Sequence, residues 1–441
     1  MKNMSFPLNE KILDKLLIEK EIDLRRVSIR ELGLLVNDLS AQTETDFIRM
    51  EFGIPGLPAD RIGPEEEIRV LKENNKLPST YPPFDGIPKL KKAISNFTKL
   101  FLNVDVQPQN CIPTVGAMHG CLISMAVAGR RKPEADTILF LDPGFPVNKL
   151  QTKFLGLQTE SIDIYDHRGE NLLKKLEELF STGKIGGILW SNPNNPTWVC
   201  LTEEELEGIG KLATEYDVIC IEDVSYFGMD FRNDYSIPGQ PPFQPTVAHY
   251  TDNYFIVMSS SKIFSYAGQR VGFTILSPEL SKKKYPHLKK YADTDIVGYA
   301  FIHGGIYPTT AGVPQTTQHA LTALLEAVCD GSYDFMDKLH SYGETASIVK
   351  DIFISNGFEY VYDDMGEEIA DGFYFTIKWK RMTGESLLHS MLLFGMAGIP
   401  ISTTGSIKEG IRICVSLLKE EDFEELKSRI SALAKYLNIK K

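Results

Sequence analysis

The sequence predicts an α/β protein: a three-layer large domain on a mostly parallel sheet, followed by a smaller α+β domain. Three observations lead there. From about Tyr81 to residue 275, short apolar β-prone runs alternate with longer amphipathic stretches, the pattern of strands connected by helices. Beyond Gln315 the pattern changes, and apolar and polar residues alternate within single runs. A chain of 441 residues, 43% of them apolar, also exceeds what one core usually serves. The expected division is 1–60 as N-terminal helices and a loop packing on the small domain, 61–315 as the large domain, and 316–441 as the small domain.

Residues 9–40 carry leucine and isoleucine at helical spacing among many charges, which reads as one or two amphipathic helices. Phe52–Asp60 (FGIPGLPAD) is too rich in glycine and proline for regular structure. Tyr81–Ile94 (YPPFDGIPKLKKAI) begins as a rigid loop, with Pro88 suited to a first helical turn. Strands are expected at Cys111–Thr114, Thr137–Leu141, Gly187–Trp190, Val218–Ile221 and Tyr254–Met258. Helices are expected at Ala117–Ala128, Asn171–Phe180 and Glu203–Tyr216, the last opened by a Thr202/Glu205 capping box. After a helix from Gln315 to about residue 329, strands are expected at Gly372–Trp379, Gly398–Thr403 and Gly410–Leu417, and a closing helix at Glu420–Leu437.

Composition narrows the function. A formal net charge of −12 argues against nucleic-acid binding. No apolar run approaches a membrane span, and the start MKNMSFPLNEKILDKL lacks the apolar core of a secretion signal, so a cytoplasmic protein is expected. The six cysteines are scattered without a CxxC pair, which suits buried free thiols, and the eight histidines show no metal-ligand spacing, so no metal is expected.

Residues with chemistry gather where the predicted strands end, the place where open α/β sheets bind ligands. In Ser259–Arg270 (SSSKIFSYAGQR), Lys262 follows three serines at the end of a buried run. A lysine there is a candidate amine nucleophile toward carbonyl compounds, and the serines with Arg270 would suit a phosphate; a surface lysine beside an unrelated serine cluster is the plainer reading. Gly116 and Ala117, in TVGAMHG, stand at a strand-to-helix junction whose free N–H groups favour an anion. Phe145, in DPGFP, is placed to stack on a flat ligand or simply to pack. SNPNNPT presents side-chain amides, including Asn195, from a rigid loop. Asp223 closes VICIED and needs a cation or donors if buried, with Tyr226 three residues on. Arg412, inside GIRICVSL, either faces solvent or is held for a carboxylate.

In order and spacing these motifs resemble the class I/II aminotransferases of the fold type I enzymes that depend on pyridoxal 5'-phosphate (PLP). The similarity runs from about Phe52 to Val415, with SNPNNPT, Asp223–x–x–Tyr226 and Ser-x-Ser-Lys…Arg its most specific parts. The resemblance implies that Lys262 is the Schiff-base lysine and proton shuttle, and that Asp223 pairs with the pyridine nitrogen. It implies that Asn195 and Tyr226 bond the ring phenolate and that Phe145 stacks on the ring. Gly116, Ala117, Met118, Ser259, Ser261 and Arg270 would surround the phosphate, joined by Tyr81 from the second subunit of a homodimer. Arg412 would hold the substrate α-carboxylate, with Gly56, Asn195 and Trp198 beside it.

The implied activity is ping-pong transfer of an amino group between an amino acid and a 2-oxo acid. Another PLP reaction on the same scaffold, such as a C–S β-lyase, and a non-catalytic PLP-binding regulatory module are the alternatives. The chain departs from the family pattern in four respects. Trp198 follows Thr197 where glycine is usual, and Asn148 replaces a frequent tyrosine. Met118 stands where some relatives carry a lysine for acidic side chains, and no arginine occurs between Val271 and His303. The last two departures weaken a dicarboxylate-specific reading.

Overall fold

Seven strands form the sheet of the larger unit, which comprises Leu57–Asn194 and Cys200–Leu339 in a computed structural model describing residues 6–439. Residues 1–5 and 440–441, inside the expected outer bounds 1–60 and 316–441, lie outside the described residues. Across the sheet the order is Cys111–Thr114, Gly272–Leu276, Tyr254–Ser259, Ile219–Asp223, Ile185–Ser191, Thr137–Asp142, Gln158–Asp163. All run parallel except Gly272–Leu276, which is antiparallel to both neighbours. Thr137–Asp142 and Tyr254–Ser259 are buried at every residue, as expected of strands covered on both faces. Ile221, Phe255 and Val257 join Ile123 and Met125 of the helix Gly116–Ala128 in one apolar core. No described helix is long and apolar enough to cross a membrane.

Two of these strands are absent from the sequence reading. Gln158–Asp163 (QTESID) is an edge strand exposed over its first four residues, so it lacks an apolar signature. Gly272–Leu276 follows the Ser259–Arg270 segment closely, with only the short helical turns Ser260–Ile263 and Ala267–Gln269 between, so no helix of ordinary connecting length marks it off. Unit boundaries also differ from 315/316. The helix Gln315–Cys329 packs on Ile62–Glu73 and Pro88–Leu102, and its burial there keeps it in the larger unit, which extends to Leu339.

The smaller unit comprises the residues up to Gly56, Asn195–Val199 and His340 onward. Its antiparallel sheet has the order Ile399–Pro400, Ile411–Cys414, Tyr374–Lys378, Glu359–Tyr360. Ile48–Arg49 pairs in parallel with Met396–Ala397. The expected strand Gly398–Thr403 is cut short by a tight turn at Ile401–Thr404. Leu13, Leu32 and Val36 of the two N-terminal helices share one buried cluster with Phe375, Ile377, Leu388 and Leu433.

The end of the large sheet away from the strand-end motifs is tied by Asp217. Its carboxylate meets Arg131 Nη1 and Lys132 Nζ at 2.9 Å, Lys283 Nζ at 2.5 Å and the Tyr285 hydroxyl at 2.8 Å. Burial opposes ionisation, but hydrogen bonds from Lys283, Lys132 and Tyr285 win and hold the carboxyl at about 2, below its ordinary 3.8. A folded value below the unfolded one gives stability that is full above the unfolded value and lost as pH falls through the folded one. The shift corresponds to roughly 2 kcal/mol. Asp217→Asn is expected to lose about that much at pH 7 and to flatten the dependence of stability between about pH 4 and 2, measured by urea unfolding across pH.

Candidate functional site

Strand register gathers the first group of residues. At one end of the large sheet Thr114 lies opposite Gly272, and Gly272 opposite Ser259. Gly116, Arg270 and Ser261 each stand two residues beyond that row, so all three project past the same edge. Gly116 opens its helix with φ +71°, and a Cβ built there would lie 2.6 Å from Arg270 Nη2. Only glycine leaves that close approach open. Ser259 Oγ accepts from the Ser261 N–H at 3.1 Å and lies 2.9 Å from Ser261 Oγ. Arg270 is exposed; its Nη1 donates to the Ala267 carbonyl at 3.0 Å, and no described carboxylate pairs with it. A guanidinium, two hydroxyls and a helix N-terminus form a donor set suited to a phosphate.

The same register sets Asp223 opposite Ser191 on one side and Val257 on the other. Asp223 Oδ1 accepts from the Ser225 N–H at 3.0 Å and from the Ser225 hydroxyl at 2.5 Å. Burial pushes its carboxyl above the usual range despite these bonds, and no described cation pairs with it. It lines a narrow crevice with Phe145, Asp142, Asn148 and Ser191. Asn194 Nδ2 donates to the Pro143 carbonyl at 3.1 Å, fixing the turn that carries half-buried Phe145. Tyr226 is buried three residues after Asp223. Lys262 is half-buried in the short helix Ser260–Ile263, which Ser259 caps. A carboxylate lacking a cation, an aromatic face and a phosphate cradle fit the pyridinium, ring and phosphate of PLP.

Arg412 lies in the smaller unit and is 2% exposed. It stands opposite Thr376 in the antiparallel sheet, so the two side chains share a face with Tyr374. The Tyr374 ring lies 4.7 Å from the Arg412 guanidinium carbon. Nη1 donates to Asn195 Oδ1 at 3.3 Å, Nη2 donates to the Glu51 carbonyl, and Nε has no partner. No described carboxylate forms an ion pair with this buried cation. The arrangement has donors and charge for an incoming carboxylate.

The remaining residues of the sequence reading fall in varied settings. Ala117 is half-buried and Met118 exposed at the start of their helix, and Tyr81 is 82% exposed on its loop. Gly56 is exposed, and its N–H donates to the Tyr342 hydroxyl at 3.0 Å. Trp198 has no exposed surface and adopts φ +65°. Three supporting residues escaped the sequence reading. Ser225 has a sequence mark, since a serine two residues after aspartate often closes such a turn. Tyr374 has none, because only the register sets it under Arg412. His119 accepts from the Val115 N–H through Nδ1 at 3.2 Å, with Nε2 2.8 Å from Thr309 Oγ1. Burial lowers its pKa to about 4, so it is a neutral prop for the Gly116 turn.

The sequence model of the family "Aminotransferase class I and II" matches residues 64–430. A probable aspartate aminotransferase of Methanocaldococcus jannaschii is 27% identical over 54% of this chain and 59% of its own length. An aspartate aminotransferase of Pyrococcus horikoshii is 25% identical over 65% of this chain and 68% of its own length. The chain thus spans about three-fifths to two-thirds of these curated relatives. The crystal structure of an aspartate aminotransferase from Thermotoga maritima shares the fold, with a TM-score of 0.73 and 20% identity over 95% of this chain and 100% of that one.

Gly116→Ala fills the approach to Arg270 and strains the left-handed turn. We expect at least tenfold weaker PLP binding by absorbance titration, with an unchanged far-ultraviolet circular dichroism spectrum.

Proposed function

Because the chain belongs to the class I and II aminotransferase family, we infer that it is a PLP-dependent transaminase exchanging an amino group between amino acids and 2-oxo acids by a ping-pong mechanism. The observation that carries the reading is Asp223, a half-buried strand-end carboxylate with no described cation beside it, in one crevice with Phe145. When bound, PLP supplies an electron sink for the charge developed at the substrate Cα.

The chain's own residues hold the parts and move the proton. Asp223 would keep a proton on the pyridine nitrogen; at about 4 Å and an effective dielectric near 20 such a pair is worth roughly 4 kcal/mol. Gly116, Ala117, Ser259, Ser261 and Arg270 hold the phosphate, with Met118 beside them. Phe145 covers one ring face, and Tyr226 and Asn195 donate to the phenolate oxygen. The Lys262 Nζ takes the proton from the substrate Cα and later returns it, which requires the neutral amine. Arg412 binds the α-carboxylate, with Gly56 closing beside it. Tyr81, on its exposed loop, serves the phosphate of a second subunit in a homodimer. The relatives named above carry aspartate in their names, but Met118 and the arginine-free stretch between Val271 and His303 favour donors other than dicarboxylates here.

Borohydride should fix the cofactor to Lys262, found as a single modified peptide by mass spectrometry. An amino acid alone should convert the bound cofactor stoichiometrically to its amine form. A colourless protein that takes no label at Lys262 would overturn the reading, and release of pyruvate with ammonia or sulfide would replace it with a lyase. Arg412→Ala should raise KM for amino donors and lower kcat/KM roughly 10- to 100-fold, the weight of a charged hydrogen bond or two, with PLP still bound.

A further inference from the structure

Trp198 occupies the position where the family loop usually carries glycine, and it holds the left-handed backbone that glycine favours, with φ +65°. Its indole has no exposed surface, so it has nothing with which to touch a substrate. It stacks on Phe373 at 6.5 Å and 17°, and meets Tyr374 at 5.8 Å and 64°. The space for it exists because residue 372 is glycine: a Cβ there would lie 2.1 Å from the indole Cε2. Tyr374 in turn lies beneath Arg412 at 4.7 Å. Three residues before Trp198, Asn195 accepts from Arg412 Nη1 at 3.3 Å. Two of the contacts that orient the guanidinium therefore lead back to Trp198, one through the Tyr374 ring and one through its own loop.

We propose that Trp198 is a positioning residue for Arg412, one that sets the affinity for the substrate carboxylate without touching the substrate. The inference rests on the transaminase reading and adds the group that holds the carboxylate-binding arginine in place. Removing the indole frees the Tyr374 ring and slackens the loop behind Asn195, so the guanidinium samples orientations that do not bind. Cofactor contacts elsewhere in the chain are left as they were.

Trp198→Gly suits the test because glycine accepts the same backbone conformation. The expected result is a KM for amino donors raised about tenfold, equivalent to about 1.4 kcal/mol, with kcat within twofold. Calorimetric titration with a 2-oxo acid should give a Kd raised by the same factor. The visible band and the rate of reaction with hydroxylamine, which carries no carboxylate, should not change. Gly372→Ala, which displaces the indole, should reproduce this signature, and Trp198→Phe should return KM to within threefold of the parent. Should Trp198→Gly fail to fold, Gly372→Ala against Trp198→Phe decides the matter by the same readings. An unchanged KM and Kd in a folded variant, or loss of the visible band with KM unchanged, would overturn the proposal. A parent protein without a visible band would overturn the transaminase reading instead, while the 2-oxo acid Kd of parent against variant would still judge Trp198.

Discussion

A carboxylate at the end of a strand inside a covered sheet loses its water, and its charged form survives only if donors or a cation replace it. Asp223 has the N–H and hydroxyl of Ser225 and no described cation beside them, and burial pushes its carboxyl upward. The Asn192 N–H donates to the Asp223 carbonyl at 3.1 Å, binding the asparagine loop to the strand end. Asn194 then holds the turn that bears Phe145. A cation delivered into this crevice as part of a flat ring would relieve the electrostatic cost at Asp223. Arg412 is the converse case in the smaller unit, a buried guanidinium with an idle Nε and no described carboxylate paired with it.

Topology explains how one cluster of donors arises from residues so far apart in sequence. Parallel strands bring their carboxyl ends to one edge, which accounts for Gly116, Asp223, Ser259 and Ser261. Arg270 arrives by the opposite route. Gly272–Leu276 runs against its neighbours, so its start lies beside their ends. Arg270, two residues before that start, therefore meets Gly116, two residues past the end of Cys111–Thr114. One reversed strand places a cation at the edge where a parallel strand would have placed its far end.

The strand-end positions of these residues were legible in the sequence because buried strands and the polar loops after them leave marks at close range. Lys262 after its serines, SNPNNPT and Asp223 could each be placed from a few neighbouring residues. What escaped depends on distant partners. Gln158–Asp163 is a strand because Thr137–Asp142 offers it an edge, not because of its own polar residues. The helix Gln315–Cys329 shows in its sequence that it is a helix, but not that it packs on Ile62–Glu73. Nothing in Asn195–Val199 announces that these five residues join the smaller unit while their neighbours on both sides belong to the larger one. Tyr374 alternates in its strand like any core residue until the register sets it beneath Arg412.

Trp198 combines both situations. Its place in the motif was readable as a departure, and its consequence was not. A residue with a Cβ in the left-handed region costs about 1–2 kcal/mol over glycine, so local preference alone would reject tryptophan there. Burying an indole removes roughly 150–250 Å² from water, which at about 25 cal/mol per Å² offsets that strain with several kcal/mol to spare. The offset requires a cavity of the right shape, and the missing side chain at Gly372 supplies it. Tryptophan at 198 and glycine at 372 thus make one structural choice, in which packing rather than backbone freedom holds the loop. A loop held by packing transmits the rigidity of what it packs against, and here that is the ring on which the Arg412 guanidinium lies.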